Sequence, residues 1–345
     1  MSPVSRGSSI HKAYRGKDMK IRVASVQMHS ENGDYEGNRA RAQKLIGMAA
    51  RRKAQLILIP EFALAGYRFT DDIWEMAEPL HGRTGDWLKS LSMKHRAYIG
   101  TCILERDGTD FYDTFILTGP GKDEFWHHRK IEPAFYEAFY FKGGGANPNV
   151  FDTPLGRIGV SICFDSSKTH SLKMLSQGAP ALVLIPFSCP GLARFIPGRD
   201  RKNWDEQYTA TPLAYSRCLG VPVVTSNKTG AFESPLPMSA GLRVRSAFLD
   251  CSQIVDARGN VVAKSGAGED VIVAGVELPR AEDMLQAPFV PGGRWMPGYT
   301  AGVRFSAWYS NTMGRLRYAM SSARKRAAES SVNNPESNSA HPGFL

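Results

Sequence analysis

No run of apolar residues in this chain approaches the roughly 18 that a membrane-spanning helix needs. The opening stretch, MSPVSRGSSIHKAYRGKDMK, has no apolar core of the kind a secretory leader carries, so no leader and no membrane partner are expected. Cysteine is scarce. There are five in 345 residues, an odd number and widely separated, so a stapled secreted scaffold is not indicated and reduced thiols in a cytoplasm are expected. Metal spellings are missing as well: there is no HExxH and no CxxC. His127 and His128 are adjacent, so on a strand they point to opposite faces and cannot share one ion. There is no GxSxG elbow, no GxGxxG and no P-loop, and the glycines at 143–145 read as a turn.

Acid is thin at the two ends. Arg6, Lys12, Arg15, Lys17 and Lys20 face only Asp18 in the first twenty residues, and Arg304, Arg315, Arg317, Arg324, Lys325 and Arg326 have no acid among them. Most of the formal charge of +10 therefore lies outside a nearly neutral body. That distribution describes solvated ends rather than a surface tracking phosphates, and no nucleic-acid partner is expected.

What is present is an apolar fraction of 42%, ample for a large core. IRVASVQM alternates as a strand, and Ala42, Leu45, Ile46 and Ala49 follow at helical spacing. Strands then alternate with helices through the first two-thirds of the chain, with helices expected over about 85–95 and 203–218 (the latter interrupted by Pro212), and strands cluster near SQIVDA, NVVAKS and VIVAGVE. This is an α/β layered protein with mixed pairing. From 279 the composition turns to Pro, Gly and aromatics, then to a basic helical stretch and a polar tail. The expected organisation is a flexible basic tail over 1–20, a body over 21–278, an extension over 279–328 and a disordered tail over 329–345. Trp295, Tyr299, Phe305, Trp308 and Tyr309 are too many aromatics for a linker and are expected to pack on a partner subunit.

Three expected strands end in residues that can do chemistry. Glu61 follows QLILIP, Lys130 ends EFWHHRK, and Cys163 ends RIGVSIC. Taken singly, each has a plain reading: a capping acid, a solvated lysine, a core thiol. Together they are more, because side chains at the carboxyl ends of neighbouring strands converge on one crevice in open α/β sheets. A thiol becomes a good nucleophile beside a base. Glu61 could take its proton and return it to a departing amine. Lys130, with a backbone N–H near Phe164, could hold the oxyanion of a tetrahedral intermediate. Such chemistry requires no metal and no organic cofactor.

These residues, in LILIPEFALAGY, HHRKIEP and VFDTPLGRIGVSICFD, resemble the carbon–nitrogen hydrolase (nitrilase) superfamily, in its amidase and carbamoylase-like branch. LVLIPFSCP, LGVPVVTSNKTG and SQIVDARGNVVAKSG support the resemblance in the same order, over about 21–278. It implies a four-layer α-β-β-α sandwich, a cofactor-independent hydrolase, and a homodimer or higher homo-oligomer. It implies Glu61 as general base, Lys130 as oxyanion stabiliser, Cys163 as nucleophile, and Glu137 as a second glutamate positioning the lysine. Tyr67, Tyr136, Phe164 and the turn at Phe187, Ser188 and Cys189 are expected to line the pocket and bind a small-molecule amide or N-carbamoyl substrate. One segment departs from the family pattern. Where many amidase-type members have Pro-Glu, this chain has Thr169-His170, and the imidazole could shape the pocket or pack at the surface. Cys163-Phe164-Asp165 also differs from the Cys-Trp-Glu common in nitrilases, which favours a carboxamide or carbamoyl substrate over a nitrile. A nitrilase, an acyltransferase, or a catalytically silent binding protein on the same fold are the alternatives.

Overall fold

The computed structural model describes residues 19–279 and 301–332, apart from 122, 124, 146 and 240. In chain order the first sheet takes β1 (Met19–Gln27), β2 (Leu56–Leu58), β3 (Tyr98–Asp107), β4 (Asp110–Thr118) and β5 (Trp126–Arg129). The second takes β6 (Val150–Thr153), β7 (Gly156–Val160), β8 (Leu182–Pro186) and β9 (Val223–Ser226). A separate ribbon follows, β10 (Ala231–Pro235) with β11 (Arg243–Ala247). Then β12 (Gln253–Val255) and β13 (Val261–Lys264) complete the second sheet, and β14 (Asp270–Leu278) returns to the first. The strand orders are β14-β1-β2-β3-β4-β5 and β13-β12-β9-β8-β7-β6. In each sheet the central strands are parallel and the flanking ones antiparallel, the mixed pairing expected from the sequence.

Strand parity builds the layers. Ile21 and Val23 of β1 and Leu56 and Leu58 of β2 point to one face, where they meet Ile158, Val160, Leu182 and Leu184 of the other sheet. Ala24 and Val26, with Ile57, point the opposite way, onto Ala42, Leu45, Ile46 and Ala49 of α1 (Tyr35–Arg51) and Leu88 and Leu91 of α2 (Arg83–His95). Burying each such side chain contributes about 1.5–3 kcal/mol. A one-residue slip would turn both sets over, which is why the register is so well specified. On the far face of the second sheet lie α3 (Thr169–Gly178) through Leu172 and Leu175, and α4 (Gly198–Leu219) through Trp204, Tyr208, Tyr215 and Leu219. The result is helices, sheet, sheet, helices.

β1 begins at Met19, paired with Leu278, so the sheet takes up the last two residues of the expected N-terminal tail. Beyond the body, α5 (Ala301–Met320) and α6 (Ser322–Val332) pack on this chain's own first sheet and its loops. Tyr318 is the anchor. Its hydroxyl accepts from the Phe111 amide at 2.9 Å and donates to Asp110 at 3.2 Å. Arg324 reaches the Tyr318 carbonyl, Asp110 and the Thr109 carbonyl, and Arg317 pairs with Asp71. Phe305, Trp308 and Tyr309, expected against a partner, are exposed on the other face of α5, and Trp295 and Tyr299 lie outside the described residues. Helix α6 runs to Val332, into the stretch expected to be a tail, while 333–345 lie outside the described residues. No helix among the described residues is long and apolar enough to cross a membrane.

Candidate active site

Glu61 stands three residues beyond β2, where its amide donates to the Phe187 carbonyl of the second sheet at 3.2 Å. Lys130 directly follows β5, and its amide donates to the Asp113 carbonyl of β4 at 2.8 Å. Cys163 opens a 3₁₀ turn, Cys163–Ser167, just past β7. Its φ of 42° is left-handed, a conformation that costs a residue with a Cβ about 1–3 kcal/mol and persists only where neighbours impose it. Here the Ser166 hydroxyl donates to the Cys163 carbonyl at 2.6 Å, and the Ser167 hydroxyl to the Phe164 carbonyl at 2.8 Å. Asp165 then ties two of the three segments together. Its carboxylate accepts from the Ile131 amide at 2.7 Å and the Glu132 amide at 3.0 Å, linking the turn that carries Cys163 to the backbone just after Lys130. Burial pushes this carboxyl up to about 7 despite those two donors.

The Lys130 ammonium lies 2.6 Å from Glu61, 2.6 Å from Glu137 and 3.3 Å from Asp113. All four side chains are buried. Burial alone would lower the lysine, but Glu137, Glu61 and Asp113 outweigh it and hold the ammonium well above its usual range. The reverse holds for the acids. Asp113 is pushed well above the ordinary carboxyl range by burial and by the charge of Glu61, and Glu137 is raised by burial against the pull of Lys130. These three carboxyls come within 4.8 Å of one another, a donor set that would suit a cation, and Lys130 supplies one. Glu137 is fixed from three sides: by Lys130, by the Ala134 amide at 2.7 Å, and by the Tyr67 hydroxyl, which donates to it at 2.8 Å. Burial, then the charge of Glu61, pushes the Cys163 thiol well above its usual range, while a hydrogen bond from the Ser188 backbone pulls it down. The resting sulfur is a thiol, so a reaction at it needs a base.

Cys163 opens into a cavity of about 400 Å³. Tyr67, Tyr136, Ser188 and Cys189, expected from the sequence, line it. Phe164 and Phe187 are not among its lining residues. Phe164 lies under the Phe135 ring and the Lys168 ammonium, and Phe187 meets the edge of Tyr208. His170 is not a lining residue either: it is partly exposed at the start of α3, 3.9 Å from Glu132.

Asp113 is the charged member that the sequence reading passes over. An acid inside FYDTFILT, an otherwise apolar strand, was the available signal, because such a residue is seldom buried unless paired. Much of the cavity wall comes from residues 189–193 and 195–197, in a Pro- and Gly-rich connection between β8 and α4, and from Trp204 and Tyr208. Ser306 of α5 completes it. Nearby, Lys228 is fully buried, and its ammonium nitrogen has no hydrogen-bond partner among the described residues. It stands 5.6 Å from the centre of the Phe248 ring and 5.9 Å from that of Tyr67, and burial brings its pKa down to about 7.

Residues 22–285 match the sequence profile of the carbon-nitrogen hydrolases. A nitrilase of Pyrococcus abyssi is 32% identical over 200 residues, covering 55% of this chain and 74% of that protein. An omega-amidase of Danio rerio is 25% identical over 276 residues, covering 77% of this chain and 92% of that protein. Among solved structures, a carbon-nitrogen hydrolase from Helicobacter pylori G27 shares the fold, with a TM-score of 0.66 at 18% identity over 77% of this chain and 92% of that one.

Proposed function

Because this chain belongs to the carbon–nitrogen hydrolase family, we propose that it cleaves a non-peptide C–N bond, in a carboxamide or N-carbamoyl compound, through a thioester on Cys163. The observation that carries the reading is the buried group of Glu61, Asp113 and Glu137 gathered around the Lys130 ammonium, beside a cavity floored by a thiol.

In this reading Glu61 takes the thiol proton as sulfur bonds to the substrate carbonyl carbon. The Lys130 ammonium stabilises the oxyanion of the tetrahedral intermediate; one such donor is worth about 3–4 kcal/mol of barrier. The C–N bond then breaks, Glu61 delivers the proton to the departing nitrogen, and ammonia or an amine leaves. Water enters, Glu61 takes one of its protons, and hydroxide adds to the thioester carbon. Collapse expels the Cys163 thiolate, which recovers the proton, and the acid departs. Glu137 touches no reacting atom in this scheme. It holds Lys130 in place, and Tyr67 holds Glu137.

Ammonia release from a panel of amides, N-carbamoyl amino acids and nitriles tests the proposal, with the acid product identified. Release abolished by Cys163→Ala is expected, a loss of several orders of magnitude as for other concerted constellations. Undiminished release would refute it. A nitrilase is the second reading, favoured by the 32% identity to the Pyrococcus abyssi enzyme. The nitrile arm of the same panel decides between them.

A further inference from the structure

The walls of the cavity say which acyl group it accepts. Above Cys163 they are built from rings supplied by separate segments: Phe69 after β2, Tyr136 of the turn Phe135–Phe139, Phe195 before α4, Trp204 on α4 and Phe232 on β10. Aliphatic side chains fill the gaps between them, Leu192, Ile196 and Val244 among them. No lysine, arginine or histidine lines the cavity among the described residues. Its one charged lining residue is an acid, Asp200, fully buried in the first turn of α4, where the helix N-terminus favours a negative charge. Lys228, a buried cation without a hydrogen-bond partner among the described residues, stands 5.9 Å from the centre of the Tyr67 ring and is not a lining residue.

Resting on the thioester reading above, we propose that the substrate carries an uncharged aromatic or arylalkyl acyl group. A carboxylate in this cavity would lose its hydration and meet no cation in the wall, since Lys130 beside Cys163 is already held by Glu61, Asp113 and Glu137, and an acid already stands there. An acetyl-sized group would leave most of the space unfilled and forgo the burial that rings of this kind reward. An aryl group on a short linker places its amide at Cys163 and its ring among Phe69, Tyr136 and Trp204. Phe195, 75% exposed, stands at the mouth.

The test compares kcat/KM of the full-length enzyme for 3-phenylpropanamide, succinamate, 5-aminopentanamide and acetamide. The aryl amide is expected to lead each of the others by about 100-fold. Equal or better turnover of succinamate, 5-aminopentanamide or acetamide would overturn the assignment while leaving the thioester reading intact. Calorimetry on Cys163→Ala separates the two claims from the other side. Binding of 3-phenylpropanamide by this variant, without turnover of any compound by the wild type, would support the cavity assignment and refute the hydrolase. A charge placed at the rim gives a further check. Val244→Arg, at a half-buried ribbon position, is expected to raise kcat/KM for succinamate at least tenfold, and no gain would count against the missing cation as the cause of selectivity.

Discussion

Gly314 of α5 lies so close to Ala138 that a β-carbon placed on it would fall 2.8 Å from the Ala138 carbonyl carbon. A glycine inside a helix costs about 1 kcal/mol relative to alanine, so its place here is set by packing. The consequence reaches the site. Ala138 follows Glu137 in the same 3₁₀ turn, and Glu137 holds the Lys130 ammonium. Helix α5, which lies beyond the stretch matched to the family, is thereby the backing of that turn.

Replacing Gly314 by leucine should push the turn away and carry Glu137 with it. Amide turnover is expected to fall at least tenfold through kcat, with Gly314→Ala intermediate and both variants folded by circular dichroism. Unchanged kcat in Gly314→Leu would mean the contact does not extend to Glu137.

Lys130→Met removes the one cation among three buried carboxyls. Breaking such a buried set costs about 3–5 kcal/mol, because the acids are left without compensation. The variant should therefore lose turnover and also unfold at markedly lower urea than the wild type. A variant that loses activity at full stability would show that the cluster is less tightly coupled than its distances imply.

Lys228 sets a pH dependence with a definite sign. The folded state releases its proton at about 7, against an ordinary value of 10.5. Between those two values the unfolded chain binds more protons, so this residue's penalty on stability shrinks as pH rises and is complete below 7. Lys228→Met should accordingly be more stable than wild type by up to about 5 kcal/mol below pH 7, with the advantage gone by pH 10.5. Paired thermal melts across pH 6–10 measure it. A difference independent of pH would show that Lys228 keeps its proton throughout.

Asp165→Asn keeps the size of the side chain but offers one acceptor oxygen to two amides, those of Ile131 and Glu132. One partly buried donor is left unsatisfied, at no more than about 3 kcal/mol. Denaturant titration should show that loss, and turnover should drop as Lys130 and Cys163 move out of register. Full retention of both properties would contradict the role of Asp165 as the link between the two turns.

Much of the layered body was legible because strand parity is a local property. Alternation in IRVASVQM and the run LILIP assign each side chain to a face before any partner is known. Glu61 and Cys163 were legible for a related reason: each comes just after an apolar strand that pairs in parallel inside its sheet, whereas Lys130 follows the antiparallel edge strand β5 and was legible through the motif HHRKIEP. Asp113 was not, because its partner Lys130 comes from the neighbouring strand and only the pairing of β4 with β5 sets them side by side. Phe164 and Phe187 were placed nearer the cavity than they lie, since adjacency in sequence does not say which way a ring turns.

The division into two sheets was implied by the family resemblance; by itself the sequence determined an α/β layering of alternating strands and helices and the three strand ends that carry an acid, an ammonium and a thiol. These follow from periodicity and from residue type, which act over a few positions. Only the tertiary structure decided what surrounds those ends: the fourfold cluster on Lys130, the ring-lined cavity, the buried Lys228 and the packing of α5 on the turn of Glu137. Those depend on contacts between residues far apart in the chain, such as Gly314 and Ala138, whose chemistry exists only once folding removes the water between them.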